Sequence, residues 1–467
     1  MVFSSLVFIF RFLPIFLVFY FIVPRRYKNA VLLLGSLIFY AYGELKYLLL
    51  LVLSVCINYK AALLLDEFKE NHRQKNRMFI ITLAYNFGIL FFFKYINFTI
   101  GNINFLIKGI TDGLTIPALS AALPLGLSFY TFQIVSYITD VYREETKAEK
   151  SICQLALYLC MFPQLISGPL VKYSEISLQL KYRTIHFKNL EAGLKVFTLG
   201  LGSKVLLADR IGLLWNNIQT IGFESISTPL AWLGAVGYSL QLYFDFFGYS
   251  LMAIGVGKMI GFSLPDNFAH PYISKSVSEF WRRWHISLGR WFRDYVYIPL
   301  GGNRRGSKRL VLNLLIVWVL TGLWHGANWN FILWGLTLFA LVSLEKLFLN
   351  KYLNRSRVLA RIYVLLVMPL SWMLFAISDL HEIRVYFGRM FSFIPGICVN
   401  PNDFLKYFGM YKWYFAIGIF LCTPFAWNGF KKYEKSIPCC LLLIVIFWYA
   451  VYQLSNGINN PFMYFKF

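Results

Sequence analysis

The chain has 467 residues, 58% of them hydrophobic and 14% charged, against roughly 25% charged residues in a soluble domain. That balance excludes a soluble protein and gives a single integral membrane domain over residues 1–467, because apolar stretches recur throughout with no polar segment of the ~100 to 150 residues an appended soluble domain needs. Lysine and arginine outnumber aspartate and glutamate by 45 to 22, an excess that in a membrane protein records cytoplasmic loops and not nucleic-acid binding.

In chain order, apolar runs predict about a dozen spans, at 5–23, 29–43, 45–65, 78–97, 119–141, 190–215, 228–257, 309–325, 328–349, 360–378, 411–430 and 438–455. The first, "LVFIFRFLPIFLVFYFIV", lacks a basic start and a small-residue cleavage site, so it reads as a retained span. Basic clusters at "PRRYK" and "KENHRQKNR" mark the cytoplasmic side. Alternation then puts "YREETKAEK" (142–150), the stretch from Arg282 to Arg309 and "KKYEK" (431–435) inside, and both termini outside. It fails once. The stretch 151–169, with Pro163, Gly168 and Pro169, is therefore expected to dip in and return, which is tolerated at membrane depth only where protein or a water-filled cavity covers the backbone. The seven cysteines lie mostly in apolar runs and indicate neither a disulfide framework nor a metal site. No internal repeat is visible, which weighs against repeat-built transporter folds.

The segment "SVSEFWRRWHISLGRWFRDYVYIPLGGNRRGSKR" (276–309) carries the first candidate chemistry. At ~100° per residue, Trp281, Trp284, Leu288, Trp291 and Tyr295 form one helical stripe and Arg282, Arg283, Arg290 and Arg293 another. This is the pattern of an interfacial amphipathic helix. His285, beside the aromatic stripe, stands apart from it as a candidate functional group.

"LTGLWHGANWNFILWG" (320–335) is the stronger case. If Arg309 marks the cytoplasmic boundary, sixteen residues at ~1.5 Å each put His325 ~24 Å along a path through hydrocarbon ~30 Å thick. Gly326 and Asn328 predict that one helix ends there and another begins. A histidine at that depth is costly and faces a bundle interior or cavity; desolvation favours its neutral ring, which suits a general base, although a structural histidine bonded to a backbone carbonyl accounts for it equally. Asp245 and Asp294 are candidate orienting partners for such a base, or interhelical anchors. No "HExxH" accompanies the histidines.

"FWRRWHISLGRWFRDYVYIPLGG", followed by "GLWHGANW", resembles the membrane-bound O-acyltransferase (MBOAT) family, and "PQLISGPLVKY", "LYFDFFGYSLMAIG" and "NPFMYFKF" resemble its branch containing the alginate O-acetyltransferase membrane component. The resemblance implies an all-α, multi-span helical bundle around a transmembrane tunnel, with His325 as the essential catalytic residue and His285 as the second family position. It further implies an acetyl group taken from a cytosolic thioester, acetyl-CoA or a carrier-protein thioester, with no tightly bound cofactor. The acetyl group would pass to an extracytoplasmic SGNH-like partner that modifies a polysaccharide at the cell membrane. "GGNRRGSKR" could hold CoA phosphates through Arg304, Arg305 and Lys308, or merely carry positive-inside charge. The final residues read FxYxxF and resemble the C-terminal motif of the small membrane partner in D-alanyl transfer systems. Tyr464 would then relay the acyl group, needing a neighbouring base because a phenol with pKa ~10 is a poor nucleophile at neutral pH; the alternative is a tail that only packs. A D-alanyl transferase for teichoic acids is the same-class alternative, and a polysaccharide transporter the different-class one.

Overall fold

The computed structural model describes residues 1–108, 115–165, 168–304, 306–457 and 463. Among these, every regular element is a helix. The reason is the solvent: hydrocarbon offers nothing for a backbone N–H or C=O to bond, and only a helix satisfies both within one segment. Six helical stretches among the described residues are long and apolar enough to cross a membrane: Arg25–Glu70, His72–Lys108, Gly306–His325, Trp329–Leu353, Arg357–Ala376 and Ile437–Ser455. The first of these contains two of the predicted spans, joined by a 3₁₀ turn over Leu45–Tyr47.

The chain divides into two compact units, Met1–Leu194 with Ala253–Pro265, and Lys195–Met252 with Asp266–Phe467. In the first, Asn58 and Asn86 are buried and exchange amide hydrogen bonds of 3.0 and 2.7 Å, which fasten Leu48–Glu67 to His72–Leu90. The predicted span at 119–141 is helical only over Leu127–Tyr142, since Gly126, at φ 74°, starts the helix from a left-handed turn. Within the expected excursion at 151–169, Met161 separates Ile152–Cys160 from Phe162–Leu165; residues 166 and 167 lie outside the described residues.

The second unit holds Gly306–His325 and Trp329–Leu344, two helices that cross backbone to backbone. A Cβ on Gly322 would stand 2.4 Å from the Phe331 carbonyl oxygen, and one on Gly335 2.5 Å from that of Trp318, so only glycine fits at either crossing point. Two segments are broken where the apolar pattern predicts single helices. Residues 411–430 divide into Asp403–Leu421 and Pro424–Tyr433, with Pro424 unable to continue the first helix. Residues 276–298 divide into Val277–Arg283 and Ile286–Phe292, because His285 adopts a left-handed backbone (φ 45°, ψ 53°). The burial pattern survives that break: Trp284, Leu288 and Trp291 are buried, Arg282 and Arg293 are exposed, and Arg283 and Arg290 are half-buried.

Candidate active site

His325 is the last residue of its helix and is 4% exposed. Gly326 follows it where any side chain would collide with the Phe331 ring, since a Cβ there would stand 2.2 Å from the ring edge. The Asn328 side chain accepts the Trp329 N–H at 2.6 Å and starts the next helix. The imidazole is enclosed by three rings at nearly right angles: Trp324 at 5.0 Å, Trp334 at 5.0 Å and Phe375 at 5.2 Å between centroids. Three helices thus build one aromatic shell around one polar ring. Edge-to-face packing at this spacing is the favoured arrangement for aromatic pairs, so the shell holds its own shape.

His285 shares a wall of that shell. Its ring lies 5.8 Å from Trp324, so the two histidines flank the same indole, and Phe246 packs on it at 4.7 Å. His285 lies outside the six bilayer-length helices, and burial holds its imidazole well below the usual histidine range. Its Nδ1 is 3.2 Å from the Oδ1 of Asn267, a buried residue to which nothing in its local sequence draws attention.

A cavity of about 530 Å³ opens beside His285, walled by Trp281, Trp318 and Thr321 and carrying the cations Arg282 and Lys346. Thr321 is four residues before His325, on the same helix face. Where Ser278 and Lys346 line this cavity, the wall is held by Glu345, fully buried just beyond Trp329–Leu344. Its carboxylate accepts the Val277 and Ser278 N–H groups, at 2.5 and 2.9 Å, and so caps Val277–Arg283. Glu345 too escapes sequence reasoning, because its partners are 67 and 68 residues away.

The other predicted residues are placed as follows. Asp245 is committed to a buried charge cluster: Lys204 Nζ is 2.9 Å from its Oδ1 and 2.5 Å from Asp209 Oδ1, and Asp245 Oδ2 accepts the Met463 N–H at 2.9 Å. Asp294 pairs with Arg293 at 2.7 Å. Arg304 and Lys308 are exposed, at the turn that leads into the His325 helix and in its first residues. Arg305 and Tyr464 lie outside the described residues, although Met463, next to Tyr464 in the chain, is buried.

The sequence profile of the membrane-bound O-acyltransferase family matches residues 143–378, a region that contains both histidines. Among individual proteins, the chain is 36% identical to a probable alginate O-acetylase of Pseudomonas putida and 39% identical to one of Azotobacter vinelandii, in each case over the whole of both chains. It is 35% identical to the peptidoglycan O-acetyltransferase of Helicobacter pylori, over 82% of this chain and 78% of that protein.

Proposed function

The chain belongs to the membrane-bound O-acyltransferase family, and from that premise we propose that it moves an acetyl group from a cytosolic thioester, acetyl-CoA, to a polysaccharide beyond the membrane. The relatives, named for acetylating alginate or peptidoglycan, support acetyl as the group and a glycan as its final acceptor. The observation that carries the reading is His325, buried at a helix break in an aromatic shell whose Trp324 also walls His285 beside a cavity.

In the proposed reaction the donor's thioester lies in the cavity. Its phosphates are met by Arg282 and Lys346 on the wall and by Arg304, Arg305 and Lys308 where the chain enters the His325 helix. His325 takes the proton of an attacking hydroxyl as the new C–O bond forms; the C–S bond breaks, and the proton passes to the departing thiolate. The hydroxyl is that of Tyr464, whose chain neighbour Met463 is buried and donates its N–H to Asp245 in this unit. The acetyl-tyrosine ester then donates to an extracytoplasmic SGNH-like partner, which loads the glycan.

The test is to reconstitute the protein in liposomes with labelled acetyl-CoA outside and the partner enzyme enclosed. The reading expects label transfer that His325→Ala abolishes and Tyr464→Phe reduces to background, with an acetylated C-terminal peptide when the partner is left out. Wild-type transfer by Tyr464→Phe would mean that the acceptor reaches His325 directly. Wild-type transfer by His325→Ala would remove the base assignment.

A further inference from the structure

We infer that Asn267 is a positioning residue that fixes which nitrogen of His285 carries the proton, and so makes His285 a hydrogen-bond acceptor toward whatever occupies the cavity. This rests on the transferase reading only for the identity of that occupant.

Asn267 is 1% exposed and grips the break between the two short helices at several points. Its backbone carbonyl accepts the Ile286 N–H at 3.0 Å. Its side-chain Oδ1 accepts the Ser287 N–H at 3.2 Å and the Ser287 hydroxyl at 2.8 Å, and the same oxygen faces His285 Nδ1 at 3.2 Å. A backbone N–H can only donate. The amide atom in front of Ser287 is therefore the oxygen and not the NH₂, which settles the orientation of the Asn267 side chain on chemical grounds. An amide oxygen offers only lone pairs, so its contact with Nδ1 is attractive only when Nδ1 bears hydrogen. In a neutral ring the other nitrogen, Nε2, is then the basic one.

The same contacts explain the backbone. His285 sits at φ 45°, a region that non-glycine residues enter at a cost and keep only where their surroundings insist. Asn267 bonds to residues on the C-terminal side of the break, and Ala269 donates to the Arg283 carbonyl on its other side at 3.0 Å. The 267–269 segment thus spans the kink and holds the ring in place.

A ligand that bonds to His285 from the cavity does so at Nε2, and must bring the hydrogen itself. A pantetheine-type amide N–H or a thiol S–H satisfies that; a bare carbonyl oxygen does not. His285 then holds the carrier arm by a hydrogen bond, through its amide N–H or through the free thiol left after transfer, and the polarisation of the acyl carbonyl falls to other groups.

The test uses the full chain in lipid nanodiscs with ¹⁵N-histidine, the His285 signals being assigned by difference against His285→Gln among the six histidines of the chain. Without any acyl donor, the wild type should show a protonated Nδ1 and a basic Nε2. Asn267→Leu should lose that single pattern and raise the KM for acetyl-CoA at least tenfold with a smaller change in kcat. Asn267→Asp keeps an oxygen at the same place, and the Nδ2 it replaces gives up no hydrogen bond among the described residues. It should restore both the tautomer and the KM to within about threefold. A protonated Nε2 in the wild type, or an Asn267→Leu spectrum identical to wild type, overturns the inference. Because the spectrum is read without substrate, it stands or falls separately from the transferase assignment.

Discussion

Asp245 and Phe246 are consecutive residues of the long helix Thr228–Met259, and they belong to two interiors built on opposite terms. Asp245 joins a cluster in which two carboxylates share one ammonium and Asp245 also accepts a backbone amide, every member at most 9% exposed. Phe246 packs on His285, in a region of rings beside a cavity. Both regions hide polar atoms. In the first, each Asp245 oxygen is spent on the protein itself, and a buried charge so matched is structural. In the second, His285 borders a cavity of about 530 Å³ and shares the Trp324 ring with His325. Burial therefore does not by itself distinguish the two regions; a bordering cavity does.

The sharpest way to break this comparison is to remove one polar group from each region. His325→Ala should cost 10²- to 10⁴-fold in acetyl transfer, the usual worth of a general base, while the melting temperature in detergent stays near wild type. Lys204→Met should do the reverse: two carboxylates left without their cation cost about 3–5 kcal/mol of stability, seen as lost yield and early thermal unfolding. A Lys204→Met protein as stable as wild type would erase the distinction. Gly322→Ala probes the packing beneath the shell. Its Cβ meets a carbonyl oxygen at 2.4 Å, so the two helices must part, at about 1–3 kcal/mol and with loss of transfer well before unfolding. The smallest effect belongs to Glu345→Gln. One amide oxygen can still cap Val277–Arg283, and the lost charge should lower stability by about 1.5 kcal/mol, measured as a shifted denaturation midpoint with activity retained.

The features legible in the sequence are those whose causes are local. The helix end at His325 is written in Gly326 and Asn328, one excluding a side chain and the other capping the next helix. The Trp and Arg stripes of 281–293 are equally local, and their burial follows the reading even though the helix does not. The kink at His285 has no glycine or proline to announce it, since it is held by Asn267 from 18 residues upstream. Asp245 reads as a candidate partner for a histidine because its own partner, Lys204, is 41 positions away in the chain, inside a different predicted span, 190–215. The break at Thr423–Pro424 is in plain view, and an apolar run on both sides conceals it.

The bond from the Met463 amide to Asp245 closes a loop of 218 residues, and synthesis gives that number a meaning in time. Lys204, Asp209 and Asp245 leave the ribosome close together and can neutralise one another while the chain is still growing. The second oxygen of Asp245 must wait until every helix between it and Met463 has been made. Closing so long a loop adds little entropic cost over a shorter one, since that cost grows only as the logarithm of length. What it adds is order: the Lys204 pairs can form before Met463 exists, and the Met463 bond only after.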